Sequence, residues 1–328
     1  MRAQVFCGVG IPLEMQDIPK PSPAPHQVLI KVSACGVCRT DLHIIYGELP
    51  EPKLPLILGH QIVGIVEQVG KERQGVKAGD RVGVPWLGGS CGRCAYCQAG
   101  NENLCNSAVY TGYQVDGGFA EYTVANTRYI FPIPKSYSDQ EAPPLLCAGL
   151  VGFRALKMTG HAKQIGFYGF GASAHILIQV VKEKKGEVYA FTKKGDIAGQ
   201  EAAKEMGAIW AGSSTEMPPK PLDAAIIFAS AGELLPLALQ AVKKGGIVVT
   251  AAIHMSDIPS FPYQLMWGER IIRSVANLTR KDGEEFLTLA PRIPIKTDTT
   301  VYPLENVNEA LSDLEQGNIN GSAVILIE

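Results

Sequence analysis

A mixed fold is predicted: the α/β plus β class, with a β-rich part built around an inserted, doubly wound parallel sheet. Three observations point there. At 328 residues the chain is about twice a typical domain, so two domains are expected. Hydrophobic patterning changes near Gly149 from short strands to alternating strands and helices. All eight cysteines lie at or before Cys147, so the two parts carry different chemistry.

Before Gly149 the runs Val28–Val32, Gly64–Val69 and Arg81–Val84 are separated by Gly, Pro and Asp, as in barrel-like packing with tight turns. Beyond it, Ile165–Tyr168, Glu187–Phe191, Ala224–Phe228, Ile247–Ala251 and Ile271–Val275 are apolar and of strand length. Helical patterns over His175–Lys184 and Ile197–Met206 separate some of them. Near-continuous apolar strands between helices predict a parallel sheet covered on both faces. After about Asn277 the pattern is mixed again, with a helix over Val307–Gln316 and a last strand over Ala323–Ile327. The boundaries expected are 1–147 plus 277–328 for the β-rich domain and 148–276 for the parallel-sheet domain.

Composition narrows the function classes. Hydrophobic residues make up 46% and charged residues 19%, which is ordinary globular usage. Thirty Lys+Arg against thirty-two Asp+Glu leave a formal charge of −2, without the basic field that nucleic acid requires. No apolar run reaches the ~18–20 residues of a membrane span, and MRAQVFCGVG does not read as a secretory leader. A soluble cytoplasmic protein is expected. In a reducing compartment its cysteines serve metal binding or catalysis rather than disulfides.

Cys91, Cys94, Cys97 and Cys105 have the spacing C-x2-C-x2-C-x7-C. Four thiolates surround zinc tetrahedrally at about 2.3 Å, and close spacing limits the entropy lost on binding. Gly88, Gly89, Gly92 and Gly100 allow the tight turns this needs. Free thiols and an iron–sulfur cluster are the competing readings, but the familiar ferredoxin run closes with x3 and a Pro. A zinc with four protein ligands has no opening for substrate, so its role is structural.

Cys38 in CGVCRTDLH, His60 in GHQIVG and Cys147 in PPLLCAG are each weak signals. Singly, they read as buried thiols and a core histidine. Together they make a Cys2His set that leaves a fourth position to water or substrate. In the second domain, Gly169, Gly171, Ala172, Ser173 and Ala174 form G-F-G-A-S-A between an apolar strand and a helix. This is the G-x-G-x-x-A dinucleotide turn: one glycine for the bend, one for close backbone approach to pyrophosphate, and a small third residue for helix–strand packing.

With CGVCRTDLH, GHQIVG, the four-cysteine loop, GDRV at Gly79–Val82 and the glycine-rich turn in this order, the chain resembles the zinc-containing alcohol dehydrogenases of the medium-chain dehydrogenase/reductase superfamily over almost its whole length. The resemblance implies a GroES-like catalytic domain with an inserted Rossmann domain. It also implies two zinc ions per chain and reversible hydride transfer between NAD(P) and an alcohol or aldehyde whose oxygen the catalytic zinc holds. It assigns that zinc to Cys38, His60 and Cys147. Zinc lowers the pKa of bound water from 15.7 to about 7, which corresponds to roughly 12 kcal/mol. Thr40 and His43 match a relay carrying the alcohol proton to solvent, a step that suits an imidazole. Asp41 matches a carboxylate orienting the zinc-bound histidine. Arg39 matches a contact to the cofactor pyrophosphate, and Ile45, Leu49 and Trp86 match the alcohol pocket. Homo-oligomers, dimers or tetramers, are usual among such relatives.

Three features depart from the family pattern. Gln61 stands where a Glu usually follows the zinc histidine, and Ser322 where an Arg usually contacts the cofactor phosphates. The strand ending at Phe191 runs into Thr192, Lys193 and Lys194 rather than an acid that would hold the ribose 2′-hydroxyl of NAD, which tilts the expectation from NAD towards NADP. Two rival functions stand beside the alcohol dehydrogenase: a zinc-dependent aldehyde reductase of the cinnamyl-alcohol type, and a non-enzymatic metal or redox sensor on the same scaffold. Cys7 and Cys35 are expected in the core.

Overall fold

The structure, a computed structural model, describes residues 1–72 and 75–328. It divides into two compact units: 1–147 with 278–291 and 296–328, and 148–277 with 292–295. The first unit begins with β1 (Arg2–Phe6), β2 (Glu14–Asp17), β3 (Gln27–Gly36), α1 (Arg39–Ile45), β4 (Leu56–Ile57), β5 (Gln61–Val69) and β6 (Arg81–Val84). There follow β7 (Leu87–Gly89), the one-turn α2 (Ala95–Gln98), β8 (Val109–Tyr110), β9 (Tyr122–Asn126) and β10 (Phe131–Pro132).

The ten-residue β3, rich in Val and Ile, is the spine of this unit. One edge pairs antiparallel with β5, from Val28↔Val69 to Gly36↔Gln61. Where the strands cross closely only glycine fits: a Cβ at Gly64 would lie 2.3 Å from the Lys31 carbonyl oxygen. Val28, Ile30 and Val32 of β3, Ile62 and Val66 of β5, and Val82 and Val84 of β6 share one buried core with Phe6 and Phe119. Because Gly36 faces Gln61, Cys38 just past β3 and His60 just before β5 emerge at the same end of the pair. Cys35 is fully buried, but Cys7 is exposed. β1 is buried on both faces up to Phe6, and Cys7 lies just past its end where the chain bends away, so the expectation of a core Cys7 fails.

In the second unit come α3 (Ala148–Met158), β11 (Gln164–Tyr168), α4 (Ala172–Glu183), β12 (Glu187–Thr192), α5 (Ile197–Glu205), β13 (Trp210–Ser213), β14 (Leu222–Ile227), α6 (Leu234–Ala241), β15 (Val242–Thr250) and β16 (Ile271–Ser274). Six parallel strands lie in the order β13-β12-β11-β14-β15-β16. The chain leaves β11 first to one side and then to the other, the switch point of a doubly wound Rossmann sheet. The sequence predicts five of the six strands; β13, Trp-Ala-Gly-Ser, has no β-branched residue to announce it. α4 starts three residues before its predicted start, inside the glycine-rich turn.

The first unit is completed by α7 (Arg280–Leu289), β17 (Thr299–Pro303), α8 (Val307–Gln316) and β18 (Ser322–Leu326). The other edge of β3 is shared by β9, at Gln27–Lys31, and β18, at Ala34–Gly36, and β18 leads to β17. α8 packs against α1 and stops at Gly317, whose φ of +76° makes the left-handed cap.

Candidate active site and metal centres

The register of β3 and β5 brings two of the predicted metal ligands together, and the turn before α3 supplies the third. The candidate ligand atoms of Cys38, His60 and Cys147 all lie within 4.8 Å of one another. The Cys38 and Cys147 sulfurs are 3.9 Å apart. Tetrahedral zinc with 2.3 Å bonds sets such a pair about 3.8 Å apart, so the spacing fits.

His60 is fully buried, and among the described residues neither of its ring nitrogens has a hydrogen-bond partner. An imidazole withdrawn from water is costly to leave unbonded, and a metal in the thiol pair answers that cost. Nδ1 lies 3.4 Å from Asp41 Oδ1. Asp41 is itself fully buried, at the third position of α1, and accepts the Cys38 N–H at 2.8 Å and the Gly59 N–H at 3.2 Å. One carboxylate thus braces two ligand segments and stands beside the histidine, the usual support for a metal-bound imidazole.

The field at this site favours a cation. Contact with Cys147 and His60 holds the Cys38 thiol well below its ordinary range against the effect of burial, while Cys147 is pushed up by Cys38 and by burial. His60 is driven down by burial but carried up to about 10 by Asp41 and Cys38. Bound metal would take the place of those protons.

Beside the ligands, Thr40 is buried, with Oγ1 3.6 Å from Cys38 Sγ. His43, one turn further along α1, contacts the Glu48 carboxylate through Nδ1. The Arg39 guanidinium donates at 3.5 Å to the Leu314 carbonyl near the end of α8. Gln61 is buried against Gly36, where a Cβ would come within 2.9 Å of its amide carbon. Ile45 is buried, and Leu49 and Trp86 pack at the margin of the same core. The Trp86 ring sits 6.1 Å from that of His60, stacks on Tyr110 at 4.3 Å and lies 6.4 Å from Tyr113. Tyr110 and Tyr113 were not expected here. Their only sequence signal is two tyrosines three apart in an irregular stretch.

The second cluster is local. The Cys91, Cys94, Cys97 and Cys105 sulfurs lie within 4.8 Å of one another, with Cys94 and Cys97 3.5 Å apart and Cys91 and Cys97 3.9 Å apart. Backbone N–H groups of Cys91 and Ser107 point at Cys105 Sγ, and that of Cys94 at Cys91 Sγ, at 3.4–3.5 Å. Backbone N–H groups of Arg93 and Cys94 bring Cys91 down to about 6, and the Ser90 hydroxyl lowers Cys97. Of the four glycines singled out, Gly92 and Gly100 have φ of +70° and +73° and make the turns, while Gly88 and Gly89 lie in and beside the short β7 pairing. The loop is also tied to a distant segment. Glu102, 3% exposed, accepts from the Arg280 backbone N–H and guanidinium at 2.9 and 3.0 Å. Arg280 lies over the Tyr129 ring at 5.7 Å, and Tyr129 reaches Cys97 through Ser90 by contacts of 2.5 and 3.3 Å. Neither Glu102 nor Arg280 carries a signal in the sequence.

In the second unit, Gly169 closes the turn after β11 with φ of +90°, its N–H donating to the Phe191 carbonyl at 2.9 Å. Gly171 caps α4, and nothing lies within 4 Å of where its Cβ would be. Ala172 and Ser173 open the helix and Ala174 is fully buried beneath it. A helix N-terminus with open space in front of its glycine fits a pyrophosphate. At the tip of β12 Thr192 is buried and accepts from Gln200 at 3.2 Å, while Lys193 and Lys194 are exposed. The nearby Asp196 is engaged in capping α5.

Residues 24–135 match the model of the alcohol dehydrogenase GroES-like domain. The chain is 44% identical over 324 residues to "Probable alcohol dehydrogenase AdhA" of Mycobacterium tuberculosis, covering 96% of this chain and 93% of that one. It is 36% identical to an alcohol dehydrogenase of Geobacillus stearothermophilus over the full length of both. Among solved structures it superposes with a TM-score of 0.90 and 26% identity on a cinnamyl alcohol dehydrogenase of Sorghum bicolor, covering 99% of this chain and 96% of that one. A thermostable alcohol dehydrogenase of Pyrobaculum aerophilum gives the same TM-score at 25% identity and 99% coverage of both chains. With a GroES-like unit, a Rossmann unit and a Cys2His site, this chain belongs to the zinc-containing alcohol dehydrogenases of the medium-chain dehydrogenase/reductase superfamily.

Proposed function

We propose that Cys38, His60 and Cys147 hold the catalytic zinc of this alcohol dehydrogenase, that the four-cysteine loop holds a second, structural zinc, and that NADP is the preferred cofactor. The observation that carries the first point is the 3.9 Å thiol pair beside a buried histidine whose ring nitrogens have no hydrogen-bond partner among the described residues. When bound, zinc supplies a Lewis acid for the alcohol oxygen and the nicotinamide accepts hydride. Asp41 keeps the histidine and the Cys38 segment in place. Thr40 receives the alcohol proton through its hydroxyl, and His43, three residues on along the same helix face, passes it to solvent. Trp86, with Leu49 and Ile45, shapes the space for the carbon chain. The N-terminus of α4, at Gly171–Ala174, holds the cofactor pyrophosphate.

The case for NADP rests on Thr192 and the exposed Lys193 and Lys194 at the end of β12, where no carboxylate would repel a 2′-phosphate. Kinetics with both cofactors test it: the wild type uses NADP better, and Thr192→Asp shifts preference towards NAD. Metal analysis is expected to find two zinc ions per chain. Chelation is expected to abolish oxidation across an alcohol series.

A second reading concerns substrate and direction. Trp86, Tyr110 and Tyr113 form an aromatic wall beside His60, which favours aromatic aldehydes reduced in the manner of a cinnamyl alcohol dehydrogenase. Turnover of cinnamyl aldehyde against short aliphatic alcohols separates the two.

Homo-oligomer formation is part of the same proposal. β16 is an edge strand with Ile271 51% and Ile272 38% exposed, and Tyr263 and Trp267 nearby are 75% and 64% exposed. An unpaired edge with such a surface is suited to a second copy of the chain, and light scattering should report a dimer or tetramer. Six of the eight cysteines stand in the two candidate metal sites, which need reduced sulfur and support a reducing, cytoplasmic setting. Among the described residues no helix is long and apolar enough to cross a membrane.

A further inference from the structure

The carboxyl end of α1 folds back on the helix. Gly47, with φ of +71°, donates its N–H to the Ile44 carbonyl at 3.0 Å, and Glu48 donates its N–H to the His43 carbonyl at 2.9 Å. These are the paired bonds of a Schellman cap, in which the residue after the glycine lies over the third residue from the helix end. Here those two residues are Glu48 and His43. The backbone therefore delivers the Glu48 carboxylate to the imidazole, and His43 Nδ1 meets Glu48 Oε2. The His43 side chain is 12% exposed and that of Glu48 39%.

We propose that Glu48 is a positioning residue for alcohol oxidation, holding His43 in its Nδ1–H tautomer so that Nε2 is the nitrogen that accepts the alcohol proton. The proposal rests on the assignment of His43 to the proton relay. Nδ1–H donates to the carboxylate, which makes Nε2 the acceptor nitrogen of the neutral ring. As the substrate gives a hydride to the nicotinamide and a proton to the relay, Nε2 takes that proton and the ring becomes an imidazolium paired with Glu48. The proton then leaves Nε2 for water and the neutral tautomer returns. In aldehyde reduction the same proton runs the other way. A carboxylate that orients a histidine and supports its cationic form gives such a step both its geometry and its charge balance.

The test combines spectroscopy of the free enzyme with the rate of the first turnover, measured by stopped flow on holoenzyme. In 15N-histidine spectra the wild type should show His43 protonated at Nδ1, and Glu48→Ala should lose that signature. The first-turnover rate of alcohol oxidation should fall about ten- to hundredfold in Glu48→Ala, as for other supporting carboxylates. Cofactor affinity, followed by tryptophan fluorescence, should stay within about twofold and show the variant to be folded. Glu48→Asp should recover most of the lost rate. A wild-type His43 protonated at Nε2 overturns the proposal. So does a Glu48→Ala enzyme of undiminished rate beside a slow His43→Ala, which would leave the relay standing. A His43→Ala enzyme as fast as the wild type overturns the relay and the role of Glu48 together.

Discussion

The two cysteine clusters lie in the same unit and use the same chemistry, yet they are assembled in opposite ways. In the loop the outermost sulfurs, Cys91 and Cys105, are 14 residues apart, and backbone N–H groups of the loop already point at the sulfurs. In the other cluster Cys38 and Cys147 are 109 residues apart and meet only because β3 and β5 pair in one register and the turn before α3 arrives beside them. Chain closure alone separates the two by only about 2 kcal/mol, since its cost grows with the logarithm of length. The larger difference is dependence. The loop can gather its ligands by local turns, whereas the buried set exists only after the sheet is complete. A site formed by the finished fold can keep one direction open for substrate, while a site closed on itself adds stability.

Substitutions can break or sharpen this contrast. The largest effect is expected for Cys38→Ser: turnover falls by more than about a thousandfold, because the lost chemistry is worth many kcal/mol, while the melting temperature moves little. Steady-state rates together with calorimetry check both halves. The converse is expected for Cys94→Ser, whose Tm drops by about 10 °C or more while turnover well below Tm stays within about threefold. If the two variants behaved alike, the division of labour between the clusters would be wrong. Asp41→Asn comes next. It keeps the fold but weakens metal at the buried site by about ten- to hundredfold, measured by competition with a chromophoric chelator, because the brace on Cys38, Gly59 and His60 loses its charge. Glu102→Gln should be smallest, lowering Tm by several degrees with unchanged activity, since Arg280 keeps part of its exposure and loses one buried partner.

Legibility in the sequence follows the same contrast. The loop could be read from spacing alone because its geometry is local. The second set could not: Cys38, His60 and Cys147 are each ordinary core residues by type, and only the resemblance drew them together. Period and apolar runs announce the parallel sheet, but not β13, because Trp-Ala-Gly-Ser is short, has no β-branched residue and is held by its neighbour β12. Cys7 was misplaced for want of one strand boundary. Glu102 with Arg280, and Trp86 with Tyr110 and Tyr113, are products of tertiary contact that no local pattern marks. Glu48 differs from these. Its position one residue beyond Gly47 at the end of a helix is a readable cap, and the cap itself places the carboxylate on His43.

The bond between Glu102 and Arg280 also sets a schedule for biosynthesis. At the usual ribosomal pace, the 178 residues between them take roughly 10–35 s to emerge. All seven candidate ligand residues have left the ribosome before then. During that interval the nascent loop already has its four cysteines, but it carries an acidic side chain whose Arg280 partner has not yet been made. Only the returning C-terminal segment closes that clasp.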